Sequence, residues 1–198
     1  MVNAQTIVLI GPICAGKSTV SQLLAQSLSI PYFSVDDHRW DYYKEIGYDE
    51  EEASRIAKSG QGILGVLHYW KPFEAHAVER VLASQSNCVI DFGAGHSVYD
   101  DPVLFERVQR ALTPFPHVIL LLPSPDDDES VTVLNVRFAE LLQRETGTVN
   151  PELLQLNKAF VKHPANRTLA KMIVYTNEKT PDEVTGEIVE RLKRHLEG

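Results

Sequence analysis

Hydrophobic and polar positions follow two rhythms along this chain. Short apolar runs recur at residues 6–10, 30–35, 87–92, 117–122 and 172–176, and each reads as a strand. The run at 117–122 is almost purely apolar, as expected of a strand covered on both faces. Between the runs, apolar residues repeat at helical spacing. After the first strand, Val20, Leu23, Leu24 and Leu28 share one face, opposite Ser21, Gln22 and Gln26. A polar and aromatic helix is predicted over 38–46, ended by Gly47, and Asp49 to Glu52 resembles the acidic first turn of another short one. Gly60, Gly62 and Gly65 predict a loose section before a longer helix over 67–83, with Val78, Val81 and Leu82 inward. Further helices are predicted from Pro102, over 131–145, over 152–161 and from Pro181.

Strands and helices alternate, which predicts an α/β fold: a five-stranded parallel sheet with helices on both faces. No repeat, low-complexity tract or linker interrupts it, so residues 1–198 read as a single domain, with a helical lid at roughly 125–167. Ligands in such sheets bind at the carboxyl ends of the strands, where Gly11, Asp36, Asp91, Gly93 and Pro123 are expected to fall.

The stretch Gly11-Pro12-Ile13-Cys14-Ala15-Gly16-Lys17-Ser18 gives that end its chemistry. It matches the phosphate-binding pattern G-x-x-x-x-G-K-[ST], in the strand-loop-helix context that the pattern needs, and predicts a P-loop NTPase fold. Gly11 and Gly16 let the backbone curve so that successive N–H groups face a phosphate, and the following helix adds its positive end. Lys17 is placed to reach the β- and γ-phosphates of ATP, and Ser18 to offer a hydroxyl to Mg2+. Ala15 and Thr19 complete the nucleotide contacts.

Composition narrows the partners. The charged fraction is 23% and the formal net charge is -8, which argues against a broad grip on nucleic acid or an anionic membrane. No segment is long and apolar enough for a signal peptide or a membrane span. Two cysteines, Cys14 and Cys88, give no disulfide framework and suit a reducing cytosol, so a cytoplasmic location is expected. The histidines show no zinc-ligand spacing. Asn177-Glu178-Lys179-Thr180 does not match the N-K-x-D sequence that reads guanine. Asp91 is followed by Phe92 rather than by the glutamate that activates water in many ATPases. Transfer of phosphate to a bound acceptor is therefore expected rather than hydrolysis. The alternatives are a nucleoside or nucleotide kinase, or a nucleotide-binding regulator.

Over most of its length the chain resembles the shikimate kinase group and related P-loop small-molecule kinases, including gluconate kinase and the chloramphenicol phosphotransferases. The likeness is carried by the loop Gly11 to Thr19, by Phe33-Ser34-Val35-Asp36-Asp37, and by Gly93-Ala94-Gly95. Val174-Tyr175-Thr176 and Thr180-Pro181-Asp182-Glu183-Val184 add to it. It implies a magnesium-dependent transfer from ATP to a small molecule by a monomer or homodimer. The departures concern the acceptor. Where shikimate kinases carry F-R-x-x-E, this chain has Trp70-Lys71-Pro72-Phe73-Glu74. Ser34 replaces the first aspartate of their D-x-D, and Gly-Ala-Gly replaces their triple glycine. Lysine is a point charge without arginine's fork for a carboxylate, so shikimate itself is not the expected acceptor.

Individual roles follow. Of Asp36 and Asp37, one faces the substrate hydroxyl, with Asp36 preferred, and the other caps the next helix. Asp91 either holds Mg2+ through water or caps the glycine turn after it. Gly93 and Gly95 either admit substrate close to the backbone or only make a tight turn. Arg137, ahead of Arg144, is the lid arginine expected over the transferring phosphate, and Arg167 is expected on the adenine or a phosphate. Lys71 and the aromatics Trp40, Tyr43, Tyr69 and Trp70 are candidates for the acceptor pocket.

Overall fold

The computed structural model describes residues 6–196. Five parallel strands form one sheet: β1 (Ile7–Ile10), β2 (Tyr32–Ser34), β3 (Val89–Asp91), β4 (His117–Leu122) and β5 (Met172–Tyr175), in the order β2-β3-β1-β4-β5. Every residue of β1, β3 and β4 is buried, because these inner strands are covered by helices on both faces. The helices are α1 (Lys17–Leu28), α2 (Val35–Glu45), α3 (Glu50–Lys58), α4 (Gly62–Ser84), α5 (Pro102–Leu112), α6 (Asp127–Thr146), α7 (Pro151–Lys162), α8 (Pro164–Leu169) and α9 (Pro181–Leu196). A 3-10 turn occupies Ala94–Ser97.

Register brings the active end together. Asp91 lies opposite Leu9 on one side and Ser34 on the other. The segments leaving β1, β2 and β3 therefore emerge at one edge of the sheet: the phosphate loop, the start of α2 and the Gly93 turn.

Several helices differ from the predicted bounds, each for a local reason. The second begins at Val35 rather than residue 38, because the Ser34 hydroxyl accepts from Asp37 N and serves as the N-cap. The capping role expected of an aspartate thus belongs to Ser34, and both aspartates sit in the first turn, where negative charge meets the helix's positive end. The fourth helix begins at Gly62 and takes in Gly65, so of the three glycines only Gly60 lies in the connection before it. Burial of Val66, Phe73, Ala77, Val78 and Val81 along its face outweighs their weak helix propensity. Asp126 caps α6, which extends it back to Asp127. The short α8, capped by His163, had no counterpart in the sequence reading. The Gly93 turn leads into the 3-10 turn.

Candidate active site

The loop between β1 and α1 has the shape its glycines require. Gly11 has φ 147°, and a side chain there would bring its Cβ within 2.7 Å of the Leu121 carbonyl oxygen. Gly16, at φ 91°, precedes α1. Cys14 is also left-handed, at φ 61°, an uncommon conformation for a residue with a side chain and one that collects at ligand-binding turns. Ala15 is buried, whereas Ser18 and Thr19 are exposed. Lys17 is buried and its Nζ donates to the Pro12 carbonyl across the loop at 2.9 Å.

Asp91 stands behind this loop. Tyr32 Oη donates to its Oδ2 at 3.3 Å, while its buried Oδ1 has no hydrogen-bond partner. Burial pushes its pKa up, against the pull of the Lys17 charge and the Ser18 hydroxyl. Burial pushes the Lys17 pKa down, opposed by Asp91 and Asp36. An unpartnered carboxylate oxygen, an exposed hydroxyl and a buried ammonium fit a nucleotide with its metal. Among the described residues no cluster of three or more His, Cys, Asp or Glu could hold a metal ion alone. Mg2+ is usually held by one or two protein oxygens together with phosphate and water.

Beside the loop lies a cavity of about 370 Å3 whose lining includes Ile13, Asp36, Arg39, Lys71, Gly95 and His96. Asp36 pairs with Arg39 at 3.4 Å, and the Arg39 guanidinium stacks on the rings of Trp40 and Trp70 at 4.5 and 5.0 Å. Lys71 donates to Glu74 at 2.6 Å and to the Gly95 carbonyl at 2.9 Å. Both turn glycines are fixed by close approach: a Cβ at 93 would overlap the Asp36 carboxylate, and one at 95 the Glu74 carboxylate. What they admit here is thus a neighbouring acid.

The residues singled out from the sequence divide accordingly. Gly11, Ala15, Gly16, Lys17, Ser18, Thr19 and Asp91 gather around the loop, and Asp36, Lys71, Gly93 and Gly95 around the cavity. Arg137 lies half-buried on α6, its positive charge felt by the Cys14 thiol of the loop, and it makes no ion pair among the described residues. Arg144 is exposed beside Glu145 at 3.9 Å. Arg167 donates to Asp127 at 2.6 Å, which ties α8 to the start of α6. Of the four aromatics, only Trp70 lines the cavity. Tyr43 is fully buried among Trp40, Tyr48 and Phe73, the Tyr69 hydroxyl accepts from Asp49 N, and Trp40 covers Arg39. Sequence reasoning missed Glu74, Arg39 and His96. Glu74 and Arg39 each had a signal, the i,i+3 spacing on a helix from Lys71 and from Asp36; His96 had none.

Comparison with known proteins finds relatives that are kinases. A shikimate kinase of Streptomyces coelicolor is 29% identical over 187 residues, covering 92% of each chain. One of Marinomonas sp. is 22% identical over 215 residues, covering 99% of this chain and 96% of the relative. The chain is similar to P-loop small-molecule kinases of the shikimate and gluconate kinase group. Among solved structures, an Acinetobacter baumannii shikimate kinase in complex with shikimate has a TM-score of 0.67 at 19% identity, covering 96% and 94% of the two chains. A gluconokinase of Sinorhizobium meliloti reaches 0.59 at 17%, covering 100% and 96%. These give the fold, a P-loop NTPase sheet with its helices. The curated relatives support an ATP-dependent small-molecule kinase. No family model matches the chain.

Proposed function

We propose that this protein transfers the γ-phosphate of ATP to a hydroxyl of a small molecule bound in the cavity beside Ile13. One observation carries the reading: the phosphate loop and the Asp36 carboxylate border the same cavity. A hydroxyl held there lies between a carboxylate and the triphosphate. Its oxygen attacks the γ-phosphorus, the bond to the ADP oxygen breaks, and the proton passes to an Asp36 oxygen.

The loop amides from Gly11 to Thr19 and the Lys17 ammonium hold the phosphates, and Lys17 offsets the charge that moves onto the leaving ADP. Ser18 and Asp91 would hold Mg2+, which would neutralise phosphate charge there. The region at roughly 125–167 serves as the lid, with Arg137 in position to swing toward the γ-phosphate and Arg167 at the nucleotide side. Ser34 and Lys71 favour an acceptor other than shikimate. Ser34 is used as a helix cap, and Lys71 is already matched by Glu74.

The test is ADP release from ATP and Mg2+ across a panel of hydroxylated metabolites, nucleosides and aminoglycoside-like compounds. Acceptor-dependent release that disappears in Lys17→Ala is expected. Release that ignores every acceptor would mark a hydrolase instead.

A further inference from the structure

His96 is only 1% exposed, yet neither of its ring nitrogens has a hydrogen-bond partner. Buried polar groups nearly always have one. Burial lowers its pKa, so the ring is neutral near pH 7 and presents one N–H donor and one bare nitrogen. Its Nδ1 lies 3.9 Å from Asp36 Oδ1, beyond hydrogen-bond length, and its ring borders the cavity.

Lys71 is in the opposite condition: it spends two of its three donors on Glu74 and the Gly95 carbonyl, at 2.6 and 2.9 Å. Arg39 meets Asp36 at 3.4 Å and lies against two indoles, while its buried Nε, like the imidazole nitrogens, has no partner. Asp36, Glu74 and Asp100 outnumber Arg39 and Lys71 among the cavity's carboxylates and permanent cations. An entering carboxylate would meet Lys71 with Glu74 already against it. Leu64, Leu67, Leu156 and Phe160 supply an apolar wall.

We propose that the acceptor is an uncharged hydroxylated molecule with one apolar face, and that His96 is a specificity-determining residue that pairs with a second polar group on it. Asp36 takes the hydroxyl to be phosphorylated, and the imidazole supplies the recognition that a cation would give an anionic substrate. The inference rests on the kinase reading above.

The probes are matched pairs, shikimate with its methyl ester and gluconate with glucitol, each assayed for ADP release with ATP and Mg2+. The uncharged member of a pair should be favoured by about tenfold or more in kcat/KM. His96→Phe should then raise the acceptor KM by about tenfold with the KM for ATP unchanged, and His96→Asn, which keeps a donor and an acceptor, should recover most of the loss. Circular dichroism confirms that both variants fold. A preference for the carboxylates that vanishes in Lys71→Ala overturns the proposal while leaving the kinase intact. So does a His96→Phe enzyme with an unchanged acceptor KM, or a protein that binds ATP but accepts neither member of either pair. Failure to bind ATP at all, measured by calorimetry, would instead defeat the kinase reading.

Discussion

The phosphate loop and the cavity beside it meet at Ile13 and are built on different plans. The loop comes from one unbroken run of sequence and acts largely through backbone N–H groups, with two glycines and a buried lysine. The cavity draws side chains from the loop, α2, α4, the 3-10 turn and α7. A backbone site is fixed by local conformation, so one changed residue damages all of it. A site assembled from distant side chains can be altered piece by piece while transfer chemistry stays in place. That division suits a fold shared by kinases named for different acids.

The sharpest way to break the comparison is Lys17→Ala. Removing one buried charge from the loop should lower ADP release by about a hundredfold or more, with the fold intact by circular dichroism. Near-normal turnover would mean that the loop is not the transfer site. Asp36→Asn tests the other side of the boundary. We expect kcat to fall by about a hundredfold while calorimetry finds ATP bound as before, because the amide cannot take the hydroxyl's proton. An unchanged kcat with a lower melting temperature would reduce Asp36 to a favourable charge in the first turn of α2.

Gly95→Ala should act through packing. The added methyl displaces the Glu74 carboxylate and strains its bond to Lys71, at a cost of about 1–3 kcal/mol. For a chain of this size that lowers the melting temperature by several degrees. An unshifted melting curve would show that the turn has room to yield.

The smallest effect is a pH slope. His96 is buried with its pKa lowered, so the unfolded chain takes up a proton as the pH falls below about 6.5 while the folded chain resists it. Stability is thus present above that pH and is lost as the pH falls through the folded pKa. His96→Phe should remove this part of the acid slope in melts between pH 8 and 5, and parallel slopes in the two proteins would refute it.

Legibility followed the same division. The strands, the loop and the aspartates at the strand ends could be read because each is a local pattern: an apolar run, a spaced motif, a charge where a run stops. The start of α4 was misread, since Gly62 and Gly65 are poor helix formers locally and are carried by the burial of residues further along. His96 was invisible for a related reason. Its significance lies in Asp36 and Glu74, which are close to it in space and far from it in sequence. Lys71 was read as a point charge for the acceptor, and its i,i+3 spacing from Glu74, which pairs with it, went unused.

The two turn glycines bear on how this site can change over generations. Positions 93 and 36 share one volume, and positions 95 and 74 another. A larger residue at 95 must displace the carboxylate of residue 74, and one at 93 that of residue 36. Drift in the pocket therefore has a preferred order of steps: a glycine grows at lower cost once the acid opposite it has retreated.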